Sequence, residues 1–358
     1  MKILRTFYLL PPKVGGMEKH IYYLTKLQSR EHEISVFFNY GDKISNQDQK
    51  IIPFVKLYKI RPLFIGIAIF YFFILLKVSV KRYKADAIHI HGDWSSLIFA
   101  NLLKRITRSK LIIFSCHGQI TGSFAHRNLL PYFLKKVDLI FSTGFDSADK
   151  IENMSGKKVH IQPSGINEIF FSECPSKVEN EKFQVITVAN LFPVKNIGFV
   201  LSIAKEMPDV VFNIVGDGDQ KDMLEKQINF YGLKNAFLLG FKTPEELKSL
   251  YHASDCFLLT SLAEGTPTSV LEAMACGLPV ISSNAGGLNN IIKEYINGFI
   301  IDSFSINLFV DKLRLVKRDP GLRKNMFINN VELAKKYKWE SVAKNITDKT
   351  VHCFDEKK

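Results

Sequence analysis

No CxxC pair occurs in the 358 residues, and the five cysteines (Cys116, Cys174, Cys256, Cys276 and Cys353) are odd in number and scattered. That argues against a disulfide-stapled secreted scaffold and reads as reduced cytosolic thiols packed in apolar surroundings. The opening MKILRTFYLL has no small-residue cleavage site of the kind that ends a signal peptide, so it reads as a buried first strand. Short-period repeats are missing, which argues against a solenoid. A complete dinucleotide fingerprint is missing too: VGDGDQKD comes near one, but Lys221 stands where the third glycine belongs.

Acidic charge is scarce in one half only. The net charge is +13; residues 1–170 carry 25 Lys and Arg against 12 Asp and Glu, whereas residues 171–358 carry 23 of each. A basic first half fits an anionic partner, such as a phospholipid surface, a pyrophosphate-linked lipid or a nucleic acid, or simply a soluble basic surface. Nucleic acid fits least, because the basic residues are not interleaved with stacking aromatics in a recognised motif. Within that half, RPLFIGIAIFYFFILLKVSVKRYK sets 14 uncharged residues, Leu63 to Leu76, between Arg61 and the cluster Lys77, Lys81, Arg82 and Lys84. A spanning helix needs about 20. This segment is therefore either a core helix or one lying at a membrane interface, where each flanking charge would add ~1 kcal/mol on an anionic leaflet.

The length exceeds one comfortable core and suits two domains, and 46% hydrophobic with 23% charged residues is ordinary for a folded chain. Short apolar runs alternate with helical patterns in both halves, the signature of parallel sheets with crossover helices. Strands are expected at 2–10, 33–40, 53–58, 87–91, 110–116, 139–143 and 159–162, with helices at 17–29, 63–81, 95–106 and 127–136. Residues 171–182, rich in charge and serine with one proline, form the expected linker between a first domain at 1–170 and a second at 183–337. The second half repeats the alphabet in FQVITVANL, VVFNIVGDG, AFLLGF, DCFLLTS, LPVISS and NGFII, and everything after Asn307 looks helical. The expected fold class is α/β: two doubly wound Rossmann-like domains facing a cleft, with ligands at the carboxyl ends of the strands.

Several groups fall at such strand ends. FYLLPPKVGGME runs through Gly15 and Gly16 into a helix, where backbone N–H groups and the helix dipole can face an anion. AIHIHGDW puts His89 and His91 on one strand face, with Asp93 just beyond, and KLIIFSCHG ends in His117. Histidines at two successive strand ends favour a role in the cleft over satisfied polar packing. A metal on His89 and His91 would lack an accompanying carboxylate or cysteine cluster, so no metal is expected. Lys195 in VANLFPVKN lies just past a strand, either meeting phosphate or simply solvated.

AEGTPTSVLEAMACGLPVI holds Glu264 and Glu272 in a segment otherwise apolar enough for core. Thr266 suits an N-cap and Pro267 the first helical position. Glu272 would then lie roughly 9 Å further along at 1.5 Å per residue, too far for one acid/base couple. The pair can instead grip two ends of an extended ligand whose anionic centre meets the N–H groups of Thr268 and Ser269. A nucleoside diphosphate sugar has that shape.

The longer stretch EGTPTSVLEAMACGLPVISSNAGG resembles the E-x7-E region of retaining glycosyltransferases of family 4, which have the GT-B fold. The resemblance continues in GGMEKH, DAIHIHG, SCHG, IQPSGIN, VANLFPVKN, IVGDG, LLGF and the late helix led by Trp339. It implies that Gly16, beside Gly15, contacts the donor by its backbone and that His117 touches the donor sugar near the reacting carbon. Lys195 would neutralise the diphosphate, Phe241 would lie against the nucleobase and Glu264 would bind sugar hydroxyls. Gly265, Thr266, Pro267, Thr268 and Ser269 would form the phosphate loop, and Glu272 would take the ribose hydroxyls. His117, Glu264 and Lys195 are thus the implied catalytic set, with His91 and Asp93 on the acceptor side. Many members carry arginine where this chain has Asn190, so Lys195 here works without that partner. The family's last helix crosses back to the first domain, which residues 338–358 suit.

The implied reaction is metal-independent and cofactor-free. A hexosyl unit passes with retention from a nucleoside diphosphate sugar, UDP-linked by preference, to a saccharide or polyprenyl-diphosphate-linked saccharide of bacterial surface-polysaccharide assembly. The enzyme would sit on the cytoplasmic leaflet, its basic first domain against anionic lipid. Two alternatives share the fold: a sugar-nucleotide epimerase, and a non-catalytic subunit that binds a partner enzyme.

Overall fold

The computed structural model describes residues 1–7, 16–38, 55–59, 67–92, 94–117, 120, 127–171 and 181–357. Gly15, Asp93, Gly118, residues 63–66 and most of 171–182 lie outside the described residues. The chain divides into two compact units, Met1–Gly165 with Trp339–Lys358, and Ile166–Lys338. The division falls at Gly165–Ile166, ahead of the expected linker.

The first unit runs β1 (Lys2–Thr6), α1 (Gly16–Gln28), β2 (Glu33–Phe38), β3 (Val55–Lys59), α2 (Ile67–Val80), β4 (Ala87–Gly92), α3 (Ala100–Thr107), β5 (Leu111–Cys116), α4 (Leu130–Leu134), β6 (Leu139–Ser142), α5 (Phe145–Ser155) and β7 (Val159–Ile161). These strands form a parallel sheet ordered β3-β2-β1-β4-β5-β6-β7. Every residue of β5 is buried, because both faces of a parallel sheet are covered. Alternate residues serve opposite cores. Ile112 and Phe114 pack with Phe70, Ile74, Leu103 and Ile151, whereas Leu111 and Ile113 pack with Leu24, Trp339, Val342 and Ile346.

The second unit runs β8 (Phe183–Val188), α6 (Ile197–Glu206), β9 (Val210–Val215), α7 (Lys221–Tyr231), β10 (Ala236–Leu238), α8 (Pro244–His252), β11 (Cys256–Leu259), α9 (Thr268–Ala275), β12 (Val280–Ser283), β13 (Gly298–Ile301), α10 (Ile306–Arg318) and α11 (Pro320–Ala334). Its sheet is parallel in the order β10-β9-β8-β11-β12-β13. The last helix, α12 (Trp339–Asp355), folds back onto the first unit. There Trp339 stacks on Tyr23 of α1 at 4.8 Å between ring centroids, and Gln28 Nε2 donates to Thr347 Oγ1 at 3.0 Å. The architecture is two Rossmann-like α/β units with a returning C-terminal helix.

Three local expectations shift. The 95–106 helix opens as a 3-10 turn over Trp94–Phe99 before α3 begins. Helix α5, FDSADKIENMS, has no strong apolar stripe and was not anticipated; only Ser147, Ala148 and Ile151 are buried. Helix α9 starts at Thr268 rather than Pro267, which takes the extended φ −67°, ψ 120° and occupies the cap position itself. Proline fixes φ but leaves ψ free, and the Val270 N–H closing onto the Pro267 carbonyl at 3.2 Å sets the first turn after it.

Helix α2 is apolar on both sides. Phe70, Tyr71, Ile74, Leu75 and Val78 are buried, while Ile69, Phe72, Leu76 and Val80 form an exposed stripe at helical spacing. Both proposed readings of this segment therefore hold for its described part: one face is core and the other is open apolar surface. No described helix is long and apolar enough to cross a membrane.

Candidate active site

In the second unit, Asn190, Lys195, Phe241 and Glu264 all follow strands of one parallel sheet, so they share its carboxyl edge. The turn carrying Lys195 is tied to the loop after β11: the Leu262 N–H donates to the Val194 carbonyl at 2.8 Å, and Thr260 Oγ1 donates to the Asn196 carbonyl at 3.1 Å. That stitching brings Lys195 Nζ to Glu264 Oε1 at 2.6 Å, with the Lys and Glu side chains 20% and 7% exposed. Ser261 Oγ donates to the same oxygen at 2.6 Å. Glu264 is thus held by an ammonium and a hydroxyl, just ahead of the helix.

Two glycines make this edge close-packed. Gly216 has φ +144°, and a Cβ there would sit 1.8 Å from the Ala189 carbonyl oxygen. Gly286, at φ +64°, would put one 2.3 Å from the Gly265 oxygen and 2.4 Å from that of Glu264. Only glycine lets these backbones approach the donor loop so closely.

Thr266 and Pro267 lead into α9, and the N–H groups of Thr268 and Ser269 head its first turn without intrahelical acceptors. Glu272 is half-buried on the same helix, and Tyr251 Oη donates to its Oε2 at 3.3 Å. Burial and the Glu272 charge push the Tyr251 phenol well above its ordinary range, and burial pushes the Cys276 thiol up to about 12. Both groups stay neutral beside the carboxylate. Phe241 is 73% exposed, an open ring beside the same edge, and Asn190 is exposed too. The structure thus joins Lys195 to Glu264 directly and leaves Asn190 and Phe241 apart from that pair.

In the first unit, Gly16 opens α1, and His91 and His117 lie at the ends of β4 and β5. His91 Nδ1 and His117 Nε2 are hydrogen-bonded at 3.1 Å. His20 of α1 meets His117 edge-on, with ring centroids 4.8 Å apart, and its Nδ1 is hydrogen-bonded to Ser164 Oγ at 3.1 Å. His89 turns elsewhere: Nε2 bonds Ser115 Oγ at 2.8 Å, and Arg5 faces its Nδ1 at 3.5 Å. Desolvation holds His20, His89 and His91 well below the usual imidazole range and takes His117 to about 4. At neutral pH the cluster is uncharged.

Residues 14–169 match the family model for Glycosyltransferase Family 4, and residues 172–332 match that for Glycosyl transferases group 1. The chain is a glycosyltransferase of the GT-B fold. The UDP-Gal:alpha-D-GlcNAc-diphosphoundecaprenol alpha-1,3-galactosyltransferase of Escherichia coli is 27% identical to it over 290 residues, covering 72% of this chain and 74% of that protein. Anabaena HepE, solved in complex with UDP, superposes with a TM-score of 0.81 at 18% identity, covering 98% of this chain and 100% of the other. The lipopolysaccharide outer core galactosyltransferase WaaB in its apo form gives 0.77 at 18% identity, with 97% and 98% covered.

Three side chains of this glycosyltransferase escaped sequence reasoning. Ser261 follows β11 and had the signal of its strand-end position; His20 had only its place four residues beyond Gly16. Tyr251 had none, because its hydroxyl reaches Glu272 across the packing of α8 on α9.

Proposed function

We propose that this glycosyltransferase moves a hexosyl unit, with retention, from a UDP-sugar to a saccharide or polyprenyl-diphosphate-linked acceptor in bacterial surface-polysaccharide assembly. The observation that carries the reading is the Lys195–Glu264 ion pair set ahead of the N-terminus of α9. A donor diphosphate at that helix start takes over Lys195, freeing Glu264 for the sugar hydroxyls, while Glu272 holds the ribose and Phe241 the base. His117 attends the transferred sugar, with His91 and Asp93 toward the acceptor. The acceptor oxygen attacks C1 on the face the diphosphate leaves, the C1–O bond to the diphosphate breaks, and the acceptor proton passes to the leaving phosphate. Lys195 and the helix-terminal N–H groups stabilise the charge that builds there. The UDP in the HepE complex and the donor named for the E. coli relative support the choice of nucleotide.

The acceptor would reside at the cytoplasmic leaflet, where the exposed apolar stripe of α2 and the exposed Lys81, Arg82 and Lys84 dock on anionic lipid. A thermal-shift panel of UDP, GDP and ADP and their sugars tests the donor, with UDP-sugars expected to stabilise most. Equal responses to all nucleotides, or none, overturn the reading. Product analysis without acceptor separates transfer from epimerisation, since an epimerase converts the UDP-sugar unaided.

A further inference from the structure

The first unit gathers histidines from three elements without pairing them to any acid. His20 comes from α1, His91 from β4 and His117 from the residue after β5; one nitrogen of each lies within 4.8 Å of the others. His20 Nε2 and His91 Nε2 are buried with no hydrogen-bond partner among the described residues. Buried polar nitrogens seldom stay unsatisfied, so two in one cluster call for a ligand. We propose that His20, His91 and His117 form an exchangeable three-histidine site for a divalent transition-metal ion, with zinc the best match.

Zinc–nitrogen bonds of about 2.0–2.1 Å place tetrahedral ligands roughly 3.3 Å apart. The His91–His117 pair, at 3.1 Å, already has that spacing, and the wider one closes by side-chain rotation. His20 has an outer partner to orient it, its Nδ1 resting on Ser164 Oγ at 3.1 Å. An all-imidazole set selects zinc, copper or nickel over magnesium and calcium, and three protein ligands leave the fourth position open. The metal would use His20 and His117 with His91, not the His89/His91 pair that the strand alone suggests. His89 is committed to Ser115 and Arg5. The Arg5 guanidinium beyond His89 and the lack of a carboxylate in the set weaken a dication, so the site is exchangeable rather than resident, with micromolar affinity. Metal binding itself does not depend on the transfer reaction proposed above. Its consequence does: a metal on His117 would withdraw that side chain from the donor sugar and inhibit reversibly.

Calorimetric titration of Zn2+ into the full-length protein tests the site, alongside His20→Gln, His91→Gln and a control elsewhere, His252→Gln. One equivalent should bind at micromolar affinity, weaken at least tenfold in the first two variants and stay unchanged in the third. Absent binding, or binding indifferent to His20→Gln, overturns the proposal. Should the variants fail to fold, the visible spectrum of Co2+-loaded wild type decides: intense four-coordinate bands support the site, and weak six-coordinate bands overturn it.

Discussion

Replacing Lys195 by methionine removes the ammonium from a carboxylate that is only 7% exposed. At 2.6 Å the gross attraction is about 6 kcal/mol for an effective dielectric of about 20. Desolvation of both groups offsets most of it, and the 20% exposure of the lysine places the pair between a surface bridge and a buried one. The expected loss is about 2 kcal/mol, close to 4–8 °C in Tm for a unit of this size. The loss arises because Ser261 alone cannot neutralise Glu264. Lys195→Met combined with Glu264→Gln should therefore be more stable than Lys195→Met alone, with a coupling of at least ~1 kcal/mol in a double-mutant cycle. Calorimetry of the four proteins measures it. Strictly additive losses would refute the idea that the two side chains form one unit, and with it the exchange by which a donor diphosphate takes over Lys195.

Gly216→Ala should destabilise the second unit by about 3 kcal/mol, read as a lower urea midpoint, since the new Cβ meets the Ala189 carbonyl at an unfavourable φ. The first unit should lose stability as pH falls from about 6.5 toward 4. Its four buried histidines bind protons more weakly folded than unfolded, so the unfolded state gains protons first. A urea midpoint that stays flat over that window would contradict their burial as neutral groups. Phe72→Glu with Leu76→Glu, at positions 58% and 50% exposed, should abolish flotation with anionic vesicles while shifting stability by less than ~1 kcal/mol. Flotation of wild type that ignores lipid charge would remove the docking surface.

Much of the fold was legible because parallel strands, buried on both faces, must be continuously apolar. LIIFSC and VISS announce themselves without any knowledge of neighbours. Helix α5 was not legible: its polar sequence buries few residues, and only packing against β6 and β7 makes it a helix. The E-x7-E stretch likewise showed where Glu264 and Glu272 stand but misplaced the helix start by one residue, since the ψ of Pro267 is set by its surroundings.

By itself the sequence determined the alternation of strands and helices, the concentration of positive charge in one half, and the strand ends where chemistry could sit. These depend on local periodicity and composition, which a chain carries before it folds. Only the tertiary structure decided that Lys195 and Glu264, 69 residues apart, share one ion pair, that Tyr251 supports Glu272, and that His20 joins His91 and His117. Such pairings are set by which loops a sheet brings to one edge, and no local pattern encodes that proximity.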